Sequence, residues 1–270
     1  MKKNKLKNIK RWQQVLLMLA VVFVFGFIGF NLSGQHKVPV KDTAAEVQTK
    51  PISAKKTSAR RHSIKKNAEP DARIPAVKNG IAPVISTVPT NKPVVFLGID
   101  DGANKQQFEF SIMKTNNIKA SLFLAQRFIL DNPSFFNQFS DEGSLIEDHT
   151  LDHNVPFSSL TYDQQLHQIC GQADYEEHVY GRRPILFRPP GGSYNEDTQR
   201  AAAACGMKAV VLWIAKANGG SMQYQVGHAL RPGDIVLMHF RPEFQSEMEA
   251  FIAAQDAAGL HTELLEDWLQ

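Results

Sequence analysis

From Val94 onward the chain alternates short apolar runs with longer amphipathic stretches. Val94–Ile99 precedes Lys105–Asn116, Ala120–Ala125 precedes Pro133–Phe139, and Ser144–Ile146 precedes the long Tyr162–Tyr180. Ile185–Phe187 with Glu196–Ala204, Ala209–Trp213, Ile235–Met238 with Glu243–Ala258, and a last short run near Leu264 complete the series. Short apolar runs read as buried strands and amphipathic stretches as helices. Strand then helix, repeated, predicts an α/β fold with a parallel sheet under helical cover. Asn132-Pro133 and Asn195 are start signals for two helices, and Gly259 stops the last long one.

The first third lacks this alternation. Val15–Phe30 is uncharged, is extended by Asn31 and Leu32, and follows six cations (Lys2, Lys3, Lys5, Lys7, Lys10, Arg11) with no acid among them. The pattern predicts a membrane span whose positive flank stays in the cytoplasm. A cleaved signal peptide fits the same basic region and apolar core, but no small-x-small site follows, which favours an uncleaved anchor over residues 1–32. Residues 33–92 are rich in Lys, Arg, Ala, Pro, Ser and Thr and contain no aromatic residue. Such a stretch is expected to be a disordered basic linker, either a solvated spacer or weakly attracted to anionic envelope polymers. The folded domain is therefore expected at 93–270, with everything before Pro93 dispensable for its chemistry.

Charge sharpens this division. The whole chain carries +3, but from Pro93 onward twelve Lys and Arg face 23 acids, a net of −11. A folded part of that sign repels phosphate, which excludes a nucleic-acid partner. Its roughly 180 residues suffice for one domain with a substantial core. The two cysteines, Cys170 and Cys205, fall in separate helical patterns, Tyr162–Tyr180 and Asn195–Ala204. Outside the cytoplasm they are free to bond; the alternative is two buried thiols.

In parallel α/β folds chemistry collects where strands end. The polar residues just after apolar runs are Asp100 and Asp101, His149, Arg188 and His239. His149-Thr-Leu-Asp-His153 sets two imidazoles four apart, on one face if the segment is helical. With a carboxylate from a neighbouring strand end they make two nitrogens and one oxygen, a catalytic zinc-type ligand set with positions left open. One Asp of the Asp100-Asp101 pair completes that set, and the other is left to take a proton from an attacking water. Phe187–Asn195, "FRPPGGSYN", joins a fixed charge to two prolines that stiffen a loop and two glycines that allow close backbone approach to an oxyanion.

These segments resemble, in order, the motifs of the polysaccharide deacetylase family, the NodB-homology carbohydrate esterases of family four. "IDDG" is similar to the family's T-F-D-D-G, "HTLDH" to H-[ST]-x-x-H, "RPPGG" to R-x-P-[YF]-G, and "IVLMH" to its final strand. The resemblance implies a distorted, incomplete (β/α) barrel. It implies Asp100 as general base, His239 as general acid and Arg188 as the residue that orients the base. Asp101, His149 and His153 would hold one divalent metal ion, zinc first, with cobalt, nickel or manganese as alternatives. Gly191 would serve the oxyanion, with Pro190 and Trp213 beside the substrate.

The implied reaction is removal of N-acetyl groups from a polymeric glycan, peptidoglycan first. An inactive glycan-binding protein, or a hydrolase of small amides or acetyl esters, shares the site. The expected protein is a monomer, anchored in the cell membrane with its catalytic domain outside, or secreted if the N-terminal segment is cleaved. Three departures stand out. Gly98 and Ile99 replace Thr and Phe, which is expected to affect packing only. Gly191 replaces an aromatic, removing one wall of a sugar groove. "LWIAKANGG", Leu212–Gly220, has no acid where the family carries an Asp, leaving His239 without its expected partner.

Overall fold

The computed structural model describes residues 69–269. The predicted anchor, and the linker up to residue 68, lie outside the described residues. Among the described residues no helix is long and apolar enough to cross a membrane.

Ten strands form one sheet: β1 (Val84–Ile85), β2 (Val94–Asp101), β3 (Ser121–Leu124), β4 (Leu145–Asp148), β5 (Leu186–Phe187), β6 (Ala209–Val211), β7 (Ala215–Asn218), β8 (Ser221–Tyr224), β9 (Ile235–His239) and β10 (His261–Glu263). Their order is β1-β6-β5-β4-β3-β2-β9-β7-β8, with β10 on β2, and every pairing is parallel except the β7–β8 hairpin. The path has two ends, so the sheet curls into an open half-barrel, the incomplete barrel expected. Among the described residues the α-helices are α1 (Gln107–Thr115), α2 (Gln126–Ile129), α3 (Asn137–Asp141), α4 (Tyr162–Tyr180), α5 (Glu196–Ala204) and α6 (Phe244–Ala258).

The period-two alternation of the strands sorts side chains onto two faces. Val95, Leu97 and Ile99 of β2, with Leu122, Leu124, Val236 and Met238, pack on the outer face with Phe136, Phe139, Phe244 and Phe251. Val94 and Phe96, with Phe123, Leu186, Val211 and Ile235, point inward. There the barrel is plugged by Trp268, Leu265 and Ile74, with Trp268 edge-on to Phe96 at 5.5 Å. A third cluster joins α4 and α5 to Phe187 and Val210, and Cys170 and Cys205 are disulfide-bonded across it.

The domain boundary expected at Pro93 is corrected. Ile74, Ala82, Ile85 and Val88 are buried, β1 extends the sheet beside β6, and Ile74 bridges to Leu269. A stretch without aromatics cannot build a core of its own, but its few aliphatic residues can complete one supplied by the rest of the chain. Residues 69–92 belong to the domain.

Candidate active site

Asp100 and Asp101 end β2, where strict alternation would send their side chains to opposite faces. Asp100 follows the inner row, directly beside His239 across the β2–β9 pairing. Asp101 has φ +75°, a left-handed backbone that Asp tolerates better than most residues. This turn brings its carboxylate back to the site its neighbour faces. Gly102 continues it at φ +78°, and a Cβ there would stand 2.6 Å from Ile129.

His149 follows β4 on the inner side. Its Nδ1 donates to the Arg188 carbonyl at 2.6 Å, which leaves Nε2 as the bare nitrogen facing the carboxylates, 3.5 Å from Asp101 Oδ1 and 3.8 Å from Asp100 Oδ2. The segment from His149 to His153 is a turn rather than one face of a helix. Thr150 and His153 both have positive φ, the Thr150 N–H donates to Asp148 Oδ1, and the His153 N–H donates to Thr150 Oγ1. The turn still delivers His153 Nε2 to 3.2 Å from Asp101 Oδ1. Gln168 of α4 pins it from behind through Asp152, and Phe128 packs on the His153 ring.

Ligand atoms of Asp101, His149 and His153 all lie within 4.8 Å of one another, and Asp101 Oδ1 is buried without a hydrogen-bond partner. One carboxylate oxygen and two imidazole nitrogens so placed fit a divalent cation. Burial alone would raise the Asp101 pKa, but the two imidazoles hold its carboxyl well below the usual range. Burial disfavours a charged His149, and the Asp100 and Asp101 carboxylates outweigh it and push that pKa up.

Asp100 is almost fully buried and stands outside this triad. Its Oδ1 accepts from Arg188 Nη1 at 2.6 Å. Arg188 is itself wholly buried, with Cζ 4.1 Å from the centre of the Phe123 ring and Nε donating to the Val211 carbonyl. Its Nη2 has no partner. The guanidinium packs directly over Gly98, where a Cβ would meet Nη1 at 2.4 Å.

After Arg188 the chain turns through Pro189, buried Pro190, Gly191 (φ +65°) and Gly192 (φ +67°). The ring of Trp213 packs against Gly192 and lies 5.9 Å from Arg188 Cζ, so it stands beside the loop. Where an aromatic is absent at Gly191, the exposed Val155 of the neighbouring loop comes within 3.2 Å of the position a Cβ would take. Ser158 and Ser193 hydrogen-bond the two loops together.

His239 closes the inner rim. Its Nδ1 is buried with no partner, and burial holds its pKa below the ordinary value, with the Asp100 and Asp101 carboxylates opposing and Arg241 adding to the depression. The acid-free Leu212–Gly220 stretch forms β7, its Gly219-Gly220 turn and the approach to both. Arg241 takes part in a network absent from the sequence reading. It donates to Asn218 Oδ1 and pairs with Glu247, a wholly buried residue of α6 that also accepts from the Gly219 N–H. An Arg241–Glu247 ion pair therefore stands beside the stretch where a lone acid was expected.

Residues 87–210 match the family model described as polysaccharide deacetylase. An uncharacterized protein of Streptomyces coelicolor is 38% identical over 160 residues, covering 58% of this chain and 63% of that protein. A Bacillus cereus protein named peptidoglycan-N-acetylglucosamine deacetylase is 28% identical over 179 residues, covering 62% of this chain and 81% of its own. Among solved structures, a family-four pseudoenzyme of Bacillus anthracis shares the fold with a TM-score of 0.57 at 21% identity, covering 67% of this chain and 66% of that one.

Proposed function

We propose that this domain is a metal-dependent hydrolase that removes N-acetyl groups from the amino sugars of a cell-envelope glycan, peptidoglycan first. The observation that carries the reading is Asp100: a second buried carboxylate beside the Asp101–His149–His153 triad, paired with Arg188 and level with His239. A cation site needs only the triad, whereas hydrolysis also needs a base. The family, and the relative named for peptidoglycan, support the substrate class.

A divalent cation at the triad would polarise the acetyl carbonyl and the attacking water. Asp100 takes the water's proton, while Arg188 fixes one of its oxygens. The Gly191 N–H faces the developing oxyanion, Pro190 stiffens the loop that presents it, and Trp213 lines the substrate side. His239 gives a proton to the departing nitrogen, since an amide nitrogen does not leave as a free anion. We further propose that the domain works outside the membrane, tethered through the apolar segment at 15–32.

Acetate release from peptidoglycan and from chitin oligomers tests this, with zinc, cobalt, nickel or manganese supplied and then chelated. Metal-dependent release from a glycan is expected. The unpartnered Nδ1 of His239 favours a second reading, an inactive glycan binder, and glycan binding with no release under any of the four metals would replace the first reading with it. Release from a small acetyl ester but from no glycan would move the substrate to the third class.

A further inference from the structure

The turn that carries His153 is tied to the rest of the domain bond by bond. Thr150 (φ +76°) and His153 (φ +52°) both sit in the left-handed region, an uncommon conformation, costly above all for β-branched Thr, that persists only where the surroundings impose it. The surroundings here are explicit. The Gln126 and Arg127 N–H groups donate to the Thr150 and Leu151 carbonyls, and Arg127 Nη1 donates to the Asp152 carbonyl. On the other side α4 closes on the turn, so tightly that a Cβ on Gly171 would stand 2.7 Å from Leu151 Cδ1. One turn back along that helix Gln168, only 6% exposed, meets Asp152 twice. Its Oε1 accepts from the Asp152 N–H at 2.9 Å, and its Nε2 donates to Asp152 Oδ2 at 2.7 Å.

We propose that Gln168 is a positioning residue for His153: its amide closes a ring of two hydrogen bonds on the residue before that ligand and so fixes where the imidazole stands. The chemistry of the pair is matched. Asp152 presents one donor and one acceptor, and an uncharged amide returns one of each, which neither a carboxylate nor a hydrocarbon does. His149 is fixed at its ring, by the Arg188 carbonyl, whereas the hydrogen bonds that fix His153 lie in its turn. A ligand carried on a strained backbone relaxes away from the cation once its hold is released, so the loss falls on metal affinity. The inference rests on the cation site of the reading above and is independent of the substrate.

The test measures zinc affinity, by competition with a chelator, and the visible spectrum of the cobalt-loaded protein for Gln168→Glu, Asp152→Asn and the two together. Gln168→Glu removes the donor and sets two carboxylates against each other. Expected is zinc binding weaker by about 10- to 100-fold, the usual cost of losing a partner behind a ligand, with an altered cobalt spectrum. Asp152→Asn alone keeps an oxygen that accepts from Gln168 and changes little. In the double variant the Asn amide donates to the new carboxylate, and affinity and spectrum return toward wild type. Equal loss with and without Asp152→Asn, or no loss in Gln168→Glu, overturns the proposal and leaves the cation site standing. A wild type that binds neither zinc nor cobalt removes the cation site and this proposal with it. If Gln168→Glu does not fold, the uncharged Gln168→Met, which removes both bonds, takes its place: zinc affinity equal to wild type overturns the proposal, and a loss of the same order supports it. If Gln168→Met does not fold either, Gln168 holds the fold and not the ligand, and the proposal falls.

Discussion

Two adjacent carboxylates do separate work at this site because one backbone angle breaks the strand's alternation. Asp100 obeys the pleat and faces Arg188, and Asp101 at φ +75° turns back toward the histidines. On the proposed reading, replacing Asp100 by Asn, or His239 by Ala, removes a proton-transfer group and leaves the triad in place. Such a group is typically worth about 10² to 10⁴ in rate. Kinetics on a glycan substrate should show a kcat lower by that order while metal analysis finds the content unchanged; loss of the metal in either variant would place that residue among the ligands. The strand-end rule made most of these side chains legible in the sequence, since Asp100, Asp101, His149, Arg188 and His239 each follow an apolar run. Gly98 was not legible in the same way. Its close neighbour is Arg188, which lies ninety positions later in the chain, and no local pattern says which strand a guanidinium will cover.

At the scale of elements, the long runs announced themselves and the short ones did not. The helix expected over Tyr162–Tyr180 is α4 residue for residue, with Thr161 and Gln164 forming its capping box and Gly181 in the left-handed conformation at its end. β1 has two residues and the β7–β8 strands are half-exposed and polar, so neither carries enough apolar signal to read. The same weakness hid residues 69–92. Removing them would strip Ile74 from the barrel plug and leave β6 with a bare edge. A chain beginning at Pro93 should aggregate or unfold at markedly lower urea than one beginning at residue 69, by circular dichroism. Equal midpoints would mean that the segment only decorates the domain. The bond between Cys170 and Cys205 closes a loop spanning 35 positions between α4 and the end of α5. Replacing both by Ala should cost about 2 to 4 kcal/mol in urea unfolding under oxidising conditions, and no change would mean that the helix packing alone fixes that corner.

The whole molecule carries an unusual store of buried acid. Glu147, Asp148 and Glu176 are fully buried, and Glu266 is half-buried. Glu147 is well satisfied, by Arg182 and by the backbone N–H groups of Ile185 and Leu186. Glu176 is not. It faces Asp148 and Gln172, accepts only from the Gln172 amide, and keeps Oε2 without a partner, as Asp148 keeps Oδ2. Burial first, then repulsion from Asp148, raises the Glu176 pKa well above that of an ordinary glutamate; burial likewise raises Asp148. The sign of the linkage follows. Where the folded pKa exceeds the unfolded one, the folded state holds more protons, so stability is greatest below the unfolded value and declines as pH rises toward the folded value. For Glu176 that decline begins near the ordinary glutamate pKa of about 4.3 and extends upward. Glu176→Gln keeps the shape and removes the titration. Urea unfolding from pH 5 to pH 8 should therefore give a shallower fall with pH for the variant than for the wild type. At pH 8 the variant should be the more stable by about 1 to 3 kcal/mol, the range for an unsatisfied buried polar group. Parallel curves for the two proteins would mean that Glu176 finds a partner in solution and that the burden lies on Asp148 or Glu266 instead.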